Sequence, residues 1–243
     1  MPAYRHLYAP QGGYVFVVTY GRSGSTLTQN LLNAIPGYAI RGENANLTHL
    51  FAKAIHLVRE HEMFRWRRED LEKPRDERRP YLKPILGKPW DPWAGAEKVD
   101  PDQFSLALMD LFVRQVLRPP KDCRVSGFKE IRFHEDAAFF RDHLDIMRTV
   151  FPKARFLFQR RNHEAVAKSS WWAKQPREKV FAQLRQAEQL FLAYAAAHPD
   201  CAMMLDYEGL VSGPDYIRGM HDFLGEAMDR QAVEAVLARS LRH

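Results

Sequence analysis

Seven residues near the start of the chain have the composition of an anion-binding turn: Tyr20-Gly21-Arg22-Ser23-Gly24-Ser25-Thr26. An apolar run, Tyr14 to Tyr20, leads into them, and Leu27, Leu31 and Leu32 follow at helical spacing. Strand, glycine turn and helix together aim backbone N–H groups and a helix N-terminus at a phosphate-sized anion. Gly21 and Gly24 permit close approach, Ser23, Ser25 and Thr26 supply hydroxyls, and Arg22 supplies a fixed charge. A plain tight turn with a capped helix needs fewer donors than these. The nucleoside-triphosphatase pattern G-x-x-x-x-G-K-[ST] fails for want of a lysine in the turn, and G-x-G-x-x-G is absent. A hydrolase elbow, G-x-S-x-G, is a near miss because Ser25 stands where the last glycine belongs, although Asp206 and His221 follow in the right order.

The basic residues point the same way. Between Lys153 and Arg185 nine Lys or Arg face only Glu164 and Glu178, a local charge of +7 in a chain whose net charge is +6. Basicity confined to one segment suggests an anionic ligand and argues against a general nucleic-acid binder. The ten histidines are scattered, and His56 with His61 has no third partner, so no metal site is expected. The two cysteines, Cys123 and Cys201, exclude a disulfide framework and fit a reducing, cytoplasmic setting.

Alternating strand-like and helix-like segments must position these groups, which predicts an α/β fold with a mostly parallel sheet. Strands are expected at Tyr14 to Tyr20, Arg124 to Arg132, Arg155 to Gln159 and Cys201 to Leu205. Helices are expected at Ser25 to Ala34, Asn46 to Phe64, Asp100-Pro101 to Leu117 and Arg177 to Ala197. Gly213-Pro214 opens another that ends near Leu224-Gly225, and Asp229 caps a last one. Residues 66–101 carry six prolines and dense mixed charge and read as a mobile loop or helical insert. The 243 residues, 46% hydrophobic and 27% charged, suit one domain with a sizeable core. No apolar run approaches the roughly 18 residues of a membrane span, and Met1 to Gln11 lacks the apolar stretch of a leader.

With two later segments, the turn resembles the sulfotransferases that use 3′-phosphoadenosine 5′-phosphosulfate (PAPS). Gly21-Arg22-Ser23-Gly24-Ser25-Thr26 looks like their loop for the 5′-phosphosulfate. The strand Arg155 to Arg161, with Ser169 eight residues after Arg161, looks like their 3′-phosphate signature, whereas eight residues after Arg160 stands Lys168. Gly127-Phe128-Lys129-Glu130 resembles the lysine-bearing central strand, and Asp206-Tyr207-Glu208 the C-terminal strand. The resemblance implies a P-loop-like fold and a single domain over residues 1–243. It also implies PAPS as sulfuryl donor without a metal, and Arg22 and Lys129 stabilising the charge on the bridging and leaving oxygens. Glu43, in Arg41-Gly42-Glu43-Asn44, takes the place of the general base. Its plain alternative is an acid near a helix N-terminus, and its rival is His134. Tyr207 would line the nucleotide pocket, while Trp171 and Trp172 either flank the adenine or, the favoured reading, pack the helix.

Where the cytosolic phenol enzymes have Lys, this chain has Arg22. It has Glu130-Ile131-Arg132-Phe133 where they place a histidine after the central lysine, and it lacks their Arg-Lys-Gly turn. The arginine form is closer to the carbohydrate and tyrosylprotein branches. The expected acceptor is a hydroxyl on a carbohydrate or glycolipid, with a protein tyrosine or small alcohol as alternatives. The insert, with Trp66, Trp90 and Trp93, would bind it. A nucleotide-dependent, kinase-like phosphotransferase and a non-catalytic anion-binding module on the same fold are the competing readings.

Overall fold

The computed structural model describes residues 4–240; residues 1–3 and 241–243, at the ends of the single domain expected above, lie outside the described residues. Five parallel strands form one sheet in the order β2-β3-β1-β4-β5: β1 Gly13–Val18, β2 Tyr38–Arg41, β3 Val125–Glu130, β4 Ala154–Arg160 and β5 Ala202–Asp206. The α/β class and the parallel sheet are as the alternation predicts. β1 is buried on both faces, which is why it reads as one apolar run. Tyr14, Phe16 and Val18 enter one core layer with Phe128, Phe156 and Phe158; Val15 and Val17 enter the opposite layer.

Helices cover both faces: α1 Ser25–Asn33, α2 Leu47–Glu60, α3 Glu62–Leu71, α4 Pro101–Phe112, α5 Phe140–Val150, α6 His163–Ala167, α7 Arg177–Ala197, α8 Tyr207–Ser212, α9 Pro214–Leu224 and α10 Arg230–Ser240. Leu27, Leu31 and Leu32 of α1 pack with Ile217, Met220 and Leu224 of α9 on the Val15 side. Ala52 and Ile55 of α2, Met109 and Phe112 of α4, Leu144 of α5 and Phe191 of α7 pack on the Phe16 side. Asp100 caps α4 through Asp102 N and Gln103 N, and Asp229 caps α10 through Ala232 N at 3.0 Å, both as expected. No helix among the described residues is long and apolar enough to cross a membrane.

The register aligns the carboxyl ends of the three central strands: Val17 pairs with Lys129, Val18 with Glu130, and Val18 with Phe158. Chain crossing from the β3 side of β1 to its β4 side opens a crevice there, the usual ligand position in such sheets.

Four elements depart from their sequence reading. β1 stops at Val18: Thr19 N–H still donates to Glu130 O at 3.1 Å, while its hydroxyl donates to Gln159 O at 2.7 Å as the chain enters the glycine turn. β2 is an unanticipated edge strand of only four residues. The single helix expected from Asn46 to Phe64 is two. His61 has extended backbone (ψ 126°), and its Nδ1 accepts from Met63 N at 3.2 Å, capping α3. Finally, α4 ends at Phe112 and continues to Leu117 as a wider π-helical turn.

The insert is held by paired charges, which corrects its reading as a mobile, solvated segment. Buried Arg67 donates to both oxygens of buried Asp91 at 2.7 and 3.3 Å. Asp70, fully buried, accepts from Arg79 N (2.7 Å), Arg79 Nη1 (2.5 Å) and Lys73 Nζ (3.0 Å). These bonds hold the Asp70 carboxyl below the usual carboxylate range, against burial, which pushes it up. Removing one partner of such a buried pair strands the other charge, so the pairs hold the insert's own segments to one another.

Two histidines, fully buried His143 and half-buried His134, set an acid limit on stability. Burial pushes His134 down to about 4 and His143 down to about 3 from the ordinary 6.5. Below pH 6.5 the unfolded chain takes up these protons before the folded one does, so stability is complete above 6.5 and declines as the pH falls towards the folded values. Each histidine accounts for a loss of roughly 2 kcal/mol at pH 5 relative to pH 7.5. Urea unfolding at both pH values is expected to show this fall, and His143→Gln to reduce it.

Candidate active site

The turn after β1 is built to leave its backbone N–H groups available. Gly24, in the left-handed region at φ 81°, occupies the N-cap of α1, and no side chain caps that helix. A Cβ at Gly24 would lie 2.3 Å from the Tyr207 ring, so only glycine fits. Arg22 is also left-handed, at φ 68°. Carbonyl groups of the turn are taken up from behind: Gln159 Nε2 donates to Ser23 O at 2.8 Å and Trp172 Nε1 to Gly21 O at 2.9 Å. Thr28 in turn donates to Gln159 Oε1, which fixes that amide.

A cleft of about 270 Å³ opens over this turn, lined by Gly21, Arg22, Gly24, Ser25 and Thr26, with Glu43, Lys129, Ile131, Arg161 and Trp171 around them. Most residues nominated from sequence therefore meet in one place. Ser23 is buried beneath the turn with its hydroxyl unpartnered. Tyr207 forms the wall behind Gly24, and Ser169 reaches the cleft through Arg22.

Two sets of charged groups meet at the cleft. In one, Arg22 Nε donates to Ser169 Oγ at 2.8 Å, and Arg161 Nη1 donates to Arg22 O at 3.1 Å. The Arg161 guanidinium lies 4.3 Å from the centre of the Tyr207 ring, and its buried Nε has no partner. Its main chain is held by Tyr20, whose hydroxyl oxygen accepts from Arg161 N at 2.8 Å and whose proton goes to Glu188 at 2.7 Å. Burial and Glu188 both push the Tyr20 phenol up, so it stays protonated. Ser169 lies beyond the end of α6 and not inside a helix, in a segment that leads directly into the Trp171-Trp172 turn.

In the other set, Lys129 Nζ donates to Glu43 Oε1 at 2.5 Å, and Arg132 Nη1 lies 3.6 Å from Glu43 Oε2. Glu43 does not serve the N-terminus of α2, where the Asn44 side chain accepts from Leu47 N at 3.0 Å. Arg22 and Lys129, paired above in one role, line the same cleft with different partners, Ser169 and Glu43.

The rivals are placed elsewhere. Arg160 pairs with Asp206, which separates it from Arg161. His134 does not line the cleft; it is half-buried against Phe191 and bonded to the Thr19 backbone. Ser23, Asp206 and His221 form no relay: the Ser23 hydroxyl and both His221 nitrogens are without partners. Among the described residues no group of three or more His, Cys, Asp or Glu is placed to hold a metal.

Sequence reasoning passed over Gln159, Ile131 and Glu130, and it favoured packing for both tryptophans. Trp172 does pack, but Trp171 lies against Gly21 and lines the cleft. Glu130 was visible only as a departure from the cytosolic pattern.

No curated protein matches the chain. The model described as the sulfotransferase family matches residues 14–230 of the 243, a span that runs from β1 to the start of α10 and contains every residue of the cleft. A match of that length, over an all-parallel sheet with the glycine turn at its crevice, shows that the chain belongs to the sulfotransferase family, the enzymes of sulfuryl transfer.

Proposed function

We propose that the protein transfers the sulfuryl group of PAPS to an acceptor hydroxyl. The observation that carries this reading is one cleft that gathers two sets of charged groups: Arg22 and Arg161 with Ser169, and Glu43 with Lys129. The first set suits a phosphate dianion, through charge-assisted bonds from two guanidiniums and a hydroxyl. The uncapped N-terminus of α1 suits the 5′-phosphosulfate. The unpartnered Arg161 Nε and the glycine-only wall at Tyr207 are consistent with a nucleotide seated there.

Glu43 accepts the proton of the acceptor hydroxyl as its oxygen attacks sulfur. The new O–S bond forms while the bond from sulfur to the bridging phosphate oxygen breaks, and 3′-phosphoadenosine 5′-phosphate leaves with the electron pair. Lys129, already at the base, stabilises charge developing on the transferred group and the leaving oxygen. Positioning and charge do the work, as in phosphoryl transfer, and no step calls for a metal.

The acceptor is a carbohydrate or glycolipid hydroxyl, bound by residues 66–101 as an insert in a single domain. In support, Trp93 is partly exposed beside a stacked His61 (centroids 5.6 Å), and Trp90 is largely exposed; aromatic faces of this kind suit sugar rings. Both cysteines are free and buried, which fits the cytoplasm.

Calorimetry without metal tests the donor. The 3′,5′-bisphosphate is expected to bind about tenfold or more tightly than adenosine 5′-phosphate, the size of one or two charge-assisted bonds. Equal binding of the two, with tighter binding of ATP and Mg²⁺, would replace this reading with a phosphotransferase.

A further inference from the structure

Glu130 is a buried carboxylate, fully shielded from solvent, that does not itself line the cleft. A charge in that position must be fully hydrogen-bonded to persist. Its four bonds all come from two short segments. Oε2 accepts from Asn44 N at 3.1 Å and Asn46 N at 2.7 Å; Oε1 accepts from Ile131 N at 2.8 Å and Arg132 Nη1 at 3.2 Å.

The loop it grips is unusual. Ala45 and Asn46 are consecutive non-glycine residues in the left-handed region, at φ 57° and 56°. Such backbone costs on the order of 1 kcal/mol or more per residue and persists where its surroundings over-determine it. Two N–H groups converging on one oxygen form the kind of concavity that holds an anion, and here the chain's own carboxylate fills it. Glu43 immediately precedes the first clamped residue. Side chains alternate along a strand, so Lys129 and Glu130, neighbours at the end of β3, leave on opposite faces. One grips the side chain of Glu43 and the other grips the backbone that follows it. Arg132, between the two carboxylates at 3.6 and 3.2 Å, joins both.

We infer that Glu130 is the positioning residue of the acceptor side: it holds the loop 42–46 in a strained conformation that presents the Glu43 carboxylate to the cleft. It takes no proton and contacts no substrate. The inference rests on the reading of Glu43 as base, and the experiment separates the two.

Glu130→Gln is nearly isosteric, but its single carbonyl oxygen cannot serve both pairs of donors, and its NH₂ opposes one of them. Three readouts are compared in the full-length protein: amide exchange at Asn44 and Asn46, calorimetry with 3′-phosphoadenosine 5′-phosphate, and PAPS turnover with water as the acceptor. Exchange at both amides is expected to rise about tenfold or more, with KM for PAPS and bisphosphate affinity within about threefold of wild type, while kcat falls about 10- to 100-fold, the usual penalty for misplacing a reacting group. Should Glu130→Ala fail to fold, the glutamine variant alone decides. Unchanged exchange at Asn44 and Asn46, or unchanged kcat with faster exchange, overturns the inference. If Glu43→Gln itself retains full turnover, the base assignment fails, and with it this role for Glu130, even if the clamp is seen in exchange.

Discussion

Glu43→Gln is expected to lower kcat by about 10²- to 10⁴-fold, the range over which a positioned general base acts. The glutamine keeps a carbonyl oxygen that can accept from Lys129, so the 2.5 Å contact at the floor of the cleft survives in kind. What is lost is the ability to take the acceptor's proton. Binding of 3′-phosphoadenosine 5′-phosphate is expected to change by no more than a few-fold, because Glu43 pairs with Lys129 and Arg132 and the Arg22–Ser169 and Arg161–Arg22 bonds do not involve it. Turnover of PAPS and calorimetry on the same preparation make the distinction. His134→Gln is the control: half-buried, neutral and outside the cleft, it is expected to leave kcat intact apart from any loss of folded protein. A Glu43→Gln enzyme with wild-type kcat would end the base assignment, and a His134→Gln enzyme with none would restore its rival.

The second large effect falls on binding. Arg161→Ala is expected to weaken the bisphosphate about 100-fold or more, the equivalent of two charge-assisted hydrogen bonds at about 1.5 kcal/mol each, and to weaken adenosine 5′-phosphate far less. The two ligands should then bind alike. Arg160→Ala separates local charge from direct contact. It removes a neighbouring cation of the same sign, but one already paired with Asp206. Its effect is expected to be within about threefold, in keeping with a partly exposed ion pair that contributes little. Equal losses in both variants, read by calorimetry with melting temperatures as the check on folding, would reduce the site to a diffuse basic patch.

The difference between these adjacent arginines shows where legibility ends. A strand followed by Ser169 at the right distance marks the region, and spacing alone prefers Arg161. Only the packed strand end shows Arg160 committed to Asp206 and Arg161 laid on Tyr207 and bonded to the turn. The insert repeats the point at larger scale. Its mixed charges look solvated because sequence lists charges without partners, whereas Arg67 and Asp91, 24 residues apart, neutralise each other out of water.

What the sequence by itself determined is local: the buried run of β1, the glycine turn, the leucine spacing of α1, the caps of α4 and α10, and the concentration of cations around β4. Each depends on contacts a few residues apart, where periodicity and turn chemistry are unambiguous. Tertiary structure alone decided the pairing of Glu43 with Lys129, 86 residues apart, and the clamp of Glu130 on Asn44 and Asn46. Both follow from a four-residue edge strand that carries no sequence signal strong enough to announce itself. β2 acquires its place from pairing with β3, register Tyr38 to Val125 and Arg41 to Phe128, and that pairing sets the loop after Arg41 beside the end of β3. Register between strands distant in sequence is set by the packing of whole faces, and no window of the chain contains it.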